Sequence, residues 1–391
     1  MARKAICWWV VLFGLALPRA FGAEVRLQTR TNHLFAVDGV TIANDFSGAR
    51  FNGCERLAAR HYCLTIRPEN KPVNQSPWYA FRVRAAKPET LRLTLDYGGA
   101  RHRYHPKVDD GSGWRRLPAA ALEISEHRTL ATLTLPVTTN WTYVAGQELI
   151  AITELNTWRR SLGGRESVVG RSKGGREITG TELGSVSATN LVVIISRQHP
   201  PEVTGSIALM AFVDRLMTKE KFLETCGVLL VPLLNPDGLH EGHWRHNLAG
   251  VDLNRDWKNF RQPETRAARD WILQRVAARG GRVLLLLDFH STHNDVFYTQ
   301  QDRHETTPAG FTRQWLGAIA KRLPDYQVRR VAGHNAGQGT SKGWGYEQFG
   351  CPAITYELGD ETDRELIRRQ ATVAAEEMTR LMVGFIGGAA E

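Results

Sequence analysis

Two short stretches of this chain place metal-seeking side chains where apolar runs end. His199-Pro200-Pro201-Glu202 follows the run Leu191 to Ile195, and Asp288-Phe289-His290 closes the run Val283 to Leu287. Imidazole nitrogen and carboxylate oxygen are good donors to zinc, and the two residues between His199 and Glu202 let both side chains converge on one ion. Two histidines and one glutamate occupy three positions of a tetrahedral ion and leave the fourth to water. That is the donor set of a hydrolytic zinc site, since a structural site would close all four positions. A histidine standing alone after a strand is usually a packed residue; the joint pattern is what points to a metal.

Between these stretches lie Asn235-Pro236-Asp237-Gly238, Arg245 and Val251-Asp252-Leu253-Asn254-Arg255, and beyond them Thr355-Tyr356-Glu357. This order resembles the zinc carboxypeptidase family. Leu234 to Trp257 (LNPDGLHEGHWRHNLAGVDLNRDW) is similar to its cytosolic carboxypeptidase branch, whose eukaryotic members deglutamylate tubulin and also carry a β-rich domain before the peptidase domain. The resemblance implies that His199, Glu202 and His290 bind Zn2+, that Arg245 polarises the scissile carbonyl, and that Asn254 with Arg255 grips the terminal carboxylate of a peptide. It implies too that Glu357 is the general base, taking a proton from the attacking water and delivering it to the leaving amine. Each role is chemically sound: an arginine fork matches a carboxylate bidentately, and a guanidinium beside the metal stabilises the developing oxyanion. Asp252 is expected to accept the second N–H of His199 and so fix its tautomer.

Gly339-Thr340-Ser341-Lys342 resembles the Gly-Thr-x-Arg segment that in the cytosolic branch helps form the pocket for an acidic terminal side chain, which makes Lys342 the expected partner of a terminal Glu or Asp. Lysine is a point charge rather than a fork, so the pocket is expected to be less exacting. The family's mobile tyrosine has no clear counterpart. A gapless alignment back from Glu357 puts Asn335 at or near its place, beside His334, and Tyr326 and Tyr346 remain candidates. Two rival readings share these residues: a zinc amidohydrolase of the aspartoacylase and succinylglutamate desuccinylase type, and a non-catalytic peptide-binding module. The β-rich segment and Asn254-Arg255 weigh against the first, and a complete set of ligands and base against the second.

These residues need a scaffold that ends several strands at one place. From Trp158 onward apolar runs alternate with amphipathic stretches: strands at Leu191 to Ile195, Val228 to Leu234, Val283 to Leu287 and Ala353 to Leu358, helices around Ala208 to Met217, Glu264 to Ala278, Phe311 to Arg322 and Glu365 to Val383. This predicts an α/β domain over residues 148–391 with a mixed sheet and helices on both faces. Before it, Trp78 to Val83, Leu91 to Leu95 and Leu130 to Leu135 alternate apolar and polar residues, separated by turns such as Asp110-Gly111-Ser112-Gly113. These predict a small antiparallel β-sandwich over residues 24–147, without a cluster of His, Asp, Glu or Cys that suggests chemistry. The polar, glycine-bearing stretch Gly163 to Gly175 is the nearest thing to a linker.

A chain of 391 residues that is 42% hydrophobic and 23% charged can bury an ordinary core, so disorder is not expected. Arg3 and Lys4 precede an apolar stretch from Ala5 to Leu17, and Ala20-Phe21-Gly22-Ala23 supplies small residues, so residues 1–22 read as a signal peptide and the enzyme as exported, periplasmic or secreted. Loss of Arg3, Lys4 and Arg19 would take the formal net charge from +10 to roughly +7. The basic residues are scattered and give no nucleic-acid patch. No later segment could span a membrane, so no stable membrane association is expected once the signal is removed. An exported enzyme would not meet tubulin; acidic-ended peptides or cell-wall stem peptides become the expected substrates. No prosegment is expected. Of the cysteines beyond the signal, Cys54 and Cys63 could close a small loop, while Cys226 and Cys351 border apolar runs.

Overall fold

The computed structural model describes residues 24–71 and 78–388; the expected signal peptide lies outside them. Two sheets form the N-terminal part. One has the strand order Asn32–Phe35, Val40–Ala43, Ala80–Ala85, Thr142–Ala145, Lys107–Asp109, Arg115–Arg116, and the other Gly53–Ala58, His61–Thr65, Glu89–Asp96, Leu130–Val137, Leu122–Ile124. The alternation predicts which side chains meet between them: Leu91, Leu93 and Leu95 from one strand and Ala131, Leu133 and Leu135 from its neighbour share one buried cluster with Phe81, Val83 and Tyr79. The pairing departs from the expected all-antiparallel pattern once, where His61–Thr65 runs parallel to Glu89–Asp96. Register also separates the two cysteines: Cys54 pairs with Leu64 and faces the core, whereas Cys63 pairs with Glu55 on the other face. Both are free thiols.

The second part is one eight-stranded mixed sheet, in the order Arg165–Arg171, Glu177–Gly184, Cys226–Val231, Asn190–Ser196, Arg282–Thr292, Ala353–Gly359, Val296–Thr299, Arg330–Ala332. The four strands from Cys226–Val231 to Ala353–Gly359 run parallel and are buried on both faces, which is why they read as unbroken apolar runs. Along Asn190–Ser196, Val192 and Ile194 join one core with helices Val203–Leu216, Phe311–Arg322 and Arg364–Gly387. Leu191, Val193 and Ile195 join a second core with helix Pro263–Ala278 and Trp344. The polar stretch after Gly163 is no linker: it forms the edge strand Arg165–Arg171, paired with Glu177–Gly184. Among the described residues no helix is long and apolar enough to cross a membrane.

One glycine sets how closely the first helix approaches the sheet. A Cβ on Gly205 would lie 2.6 Å from the carbonyl oxygen of His290, so only glycine lets helix Val203–Leu216 rest on that strand. The approach brings Glu202, the residue capping this helix, beside His290.

Candidate active site

Parallel strands deliver the candidate side chains to one end of the sheet, where ligands of open α/β sheets commonly bind. His199 and Glu202 stand just past Asn190–Ser196, His290 lies near the end of Arg282–Thr292, and Glu357 is its register partner on Ala353–Gly359. His199, Glu202 and His290 come together with one ligand atom each, all within 4.8 Å of one another. Nδ1 of His199 lies 2.7 Å from one oxygen of Glu202 and Nδ1 of His290 lies 2.7 Å from the other. The far nitrogens face aspartates: Nε2 of His199 is 2.9 Å from Asp252 and Nε2 of His290 is 2.8 Å from Asp288.

Each imidazole is therefore held between two carboxylates, and this decides whether a metal fits. A neutral ring donating Nε2–H to an aspartate presents a lone pair at Nδ1, and that pair and the Glu202 carboxylate call for a proton or a metal ion between them. Two imidazole nitrogens and a carboxylate are also a donor set suited to zinc. The residues fit the ion.

Asp252 ties two functions together. One of its oxygens faces His199 and caps the turn at Asn254 by accepting the Asn254 N–H at 2.9 Å, and the other accepts Nε and Nη2 of Arg245 at 2.8 and 2.7 Å. Burial works against its charge, but Arg245 and His199 prevail and hold its carboxyl well below the usual carboxylate range. The Asn235-Pro236-Asp237-Gly238 turn is structural. Asn235 accepts the N–H of Gly238 and donates to the carbonyl of Gln198 next to His199, while Asp237 accepts from Gly174 and Arg176.

Arg245, Asn254, Arg255, Lys342 and Glu357 all line one cleft with His199 and Glu202. Arg255 donates Nη1 to the carbonyl of Asn254 at 2.7 Å, and Asn254 accepts the N–H of Ser341 at 3.0 Å, which ties the arginine turn to helix Ser341–Phe349. Lys342, on that helix, is 5% exposed and donates Nζ to the carbonyl of His334 at 3.0 Å. Burial pushes its ammonium down to about 8. Burial likewise pushes the Glu357 carboxyl up, against the pull of His290 and His199, and its Oε2 is buried with no hydrogen-bond partner among the described residues. The cleft wall also holds His334 and Asn335, whereas Tyr326 packs against the core and Tyr346 against His304. Tyr298 does line the cleft, stacked on His334 with ring centres 4.1 Å apart.

Sequence reasoning missed several contributors. Asp288 accepts from His290, from Gln198 at 2.6 Å and from the hydroxyl of Ser341; its signal was present, because residues two apart on a strand share a face. Glu69, fully buried in the sandwich, accepts the backbone N–H of Trp244, Arg245 and His246 at 2.8, 2.9 and 2.7 Å. Arg103 and Tyr104, also from the sandwich, line the cleft. The sandwich, expected to be free of chemistry, thus walls the site.

Comparison with known proteins adds an independent line. The sequence pattern of the family described as zinc carboxypeptidase matches residues 164–378. Cytosolic carboxypeptidase 2 of Danio rerio is 28% identical over 175 residues, which is 41% of this chain and 24% of that protein. Cytosolic carboxypeptidase 6 of Caenorhabditis elegans is 21% identical over 283 residues, 63% of this chain and 61% of that one. The chain therefore spans about a quarter of the first relative and less than two thirds of the second. In fold it is similar to a metallo-carboxypeptidase from Burkholderia cenocepacia, with TM-score 0.73 at 18% identity over 89% of this chain and 99% of that one. A metallo-carboxypeptidase from Pseudomonas aeruginosa gives TM-score 0.69 at 20% identity, covering 87% and 98%.

Proposed function

We propose that this chain, which belongs to the zinc carboxypeptidase family, hydrolyses the C-terminal residue from peptides, with a preference for acidic termini. The observation that carries the reading is a single cleft that joins a three-residue set able to hold a metal ion, a buried Glu357 oxygen without a hydrogen-bond partner among the described residues, and cationic side chains that include Arg245, Arg255 and Lys342. An exopeptidase must bind a terminal carboxylate next to its catalytic groups, and an endopeptidase has no need of that charge.

His199, Glu202 and His290 would hold zinc, which when bound supplies Lewis acidity toward water and the scissile carbonyl. Glu357 then accepts a proton from the attacking water and passes it to the leaving amine; burial raises its proton affinity toward the range where it can do both. Arg245, fixed by Asp252 and within electrostatic reach of Glu202 and Glu357, faces the negative charge that develops on the carbonyl oxygen. Arg255, with Asn254 beside it, takes the terminal carboxylate as a fork. Lys342 is a buried ammonium with one carbonyl partner, and a terminal Glu or Asp side chain would complete its environment.

Residues 24–147 would then be a sandwich domain that walls the cleft, and residues 148–391 the catalytic domain. Arg3-Lys4 and the apolar stretch after them support export, so the substrates would be periplasmic or extracellular peptides.

The test is release of the terminal residue from peptides ending in Glu, Asp, Lys, Phe or Ala, with free or amidated C-termini and with or without zinc. Zinc-dependent release from free-ended peptides only, fastest for Glu or Asp, is the expected result. Turnover of N-acylated amino acids but of no peptide would replace this reading with the amidohydrolase one.

A further inference from the structure

The cleft has a second cationic wall, on the sandwich side. Arg103 lies in the loop between strands Glu89–Asp96 and Lys107–Asp109, yet lines the same cleft as His199, Glu202 and Glu357. Asp360, just past the end of the Glu357 strand, holds it there. Nε and Nη2 of Arg103 lie 2.8 and 2.7 Å from a single oxygen of Asp360, with the two side chains 11% and 8% exposed. Both bonds use one oxygen of Asp360, and they involve Nε and Nη2 but not Nη1. The guanidinium carbon sits 5.0 Å from the ring centre of Tyr104 and 6.0 Å from that of Trp244, which restrains its plane. A guanidinium pinned at the cleft wall, with one nitrogen that Asp360 leaves unused, can donate to an oxygen acceptor from outside.

Its place in the cleft says which part of a ligand that is. Arg103 is held by Asp360, just before helix Arg364–Gly387 on one face of the sheet, whereas Arg255, through Asn254, and Lys342 are tied to helix Ser341–Phe349 on the other. The cations thus reach the cleft from elements on opposite faces of the sheet. A peptide whose last residue occupies the Arg255 and Lys342 side, with its scissile carbonyl at the metal-binding residues, extends its preceding residue toward Arg103.

We propose that Arg103 is a substrate-binding residue of the sandwich domain, its Nη1 donating to an oxygen of the residue that precedes the scissile bond. The oxygen belongs to that residue's acidic side chain, since its backbone carbonyl is the scissile one. This rests on the carboxypeptidase reading above. It makes the sandwich a part of substrate recognition and gives the enzyme selectivity for more than the terminal residue.

The experiment measures kcat/KM of wild type, Arg103→Lys and Arg103→Gln on acetyl-Xaa-Glu with Xaa as Glu, Gln or Ala, and on acetyl-Glu, which lacks the preceding residue. Thermal unfolding of each variant runs alongside. Arg103→Lys keeps a cation for Asp360 and is expected to fold normally. A loss of roughly tenfold, the worth of one charge-assisted hydrogen bond, confined to Xaa as Glu would assign the side chain. The same loss for all three peptides would show that Arg103 does not read that side chain and would overturn the assignment. Equal loss on every substrate including acetyl-Glu, or no loss on any, would overturn the assignment. If wild type releases glutamate from none of the peptides, the carboxypeptidase reading itself falls and takes this inference with it.

Discussion

The buried carboxylate of Glu69 accepts the backbone N–H of Arg245 at 2.9 Å, so a sandwich residue holds the loop that carries a cleft arginine. The same carboxylate takes the N–H groups of Trp244 and His246, and Trp244 packs into the sandwich core. Three backbone donors depend on one side chain. Glu69→Ala would strand them in a buried place at about 1–3 kcal/mol each, so its urea midpoint should fall well below that of wild type. Glu69→Gln retains one accepting oxygen and should fold, with kcat lowered more than KM is raised, because Arg245 loses its fixed place. Steady-state kinetics of Glu69→Gln indistinguishable from wild type would show that the loop holds itself.

Asp252 joins His199 to Arg245, and Asp252→Asn should therefore weaken two things at once. The amide is a poorer partner for the histidine N–H, and zinc affinity should drop by about 10–100-fold, as when other carboxylates behind metal ligands are removed. Competition against a chromophoric chelator measures that loss. At saturating zinc the kcat should remain depressed, because Arg245 has lost the charge that orients it. Full recovery of kcat with added zinc would confine Asp252 to the histidine.

The parallel strands were legible because burial on both faces writes an unbroken apolar run, and the candidate metal-binding set was legible because its members stand just past or near the ends of such runs. Helix Ser341–Phe349 was not. Its sequence SKGWGYEQF carries two glycines, poor helix formers, and they serve packing instead: a Cβ on Gly345 would lie 2.9 Å from Leu286. The short strand Val296–Thr299, which brings Tyr298 to the cleft, is too brief to stand out among polar neighbours. Glu69 and Arg103 left no sequence signal at all, since what matters about them is contact with residues far along the chain. Cys54 and Cys63 misled for a related reason: nearness in sequence does not fix the face, and strand register put them on opposite sides.

Glu357 stands next to His290 in register, with one oxygen buried and unpartnered among the described residues. Glu357→Gln removes the capacity to carry a proton and leaves His199, Glu202 and His290 in place. Zinc content by atomic absorption should match wild type, thermal stability should be equal or higher because a buried carboxylate is gone, and kcat should fall by about 10²–10⁴-fold or more. Loss of zinc together with activity would make Glu357 a ligand or a support rather than the base.

Burial lowers the Lys342 ammonium from its ordinary 10.5 to about 8, so in the free enzyme it is charged below that pH and neutral above it. For substrates ending in Glu, kcat/KM reports the free enzyme and should decline as pH rises through about 8, while the value for substrates ending in Ala should not share that limb. Lys342→Met should abolish the difference between the two profiles. Stability runs the opposite way: between 8 and 10.5 the unfolded chain keeps a proton that the folded chain releases, so folding becomes more favourable as pH rises through this window. Wild type should therefore gain on Lys342→Met in urea midpoint across that range, because the methionine variant has no such proton to lose. Parallel pH profiles for Glu- and Ala-ended peptides would separate Lys342 from terminal recognition and leave its burial without a functional cause.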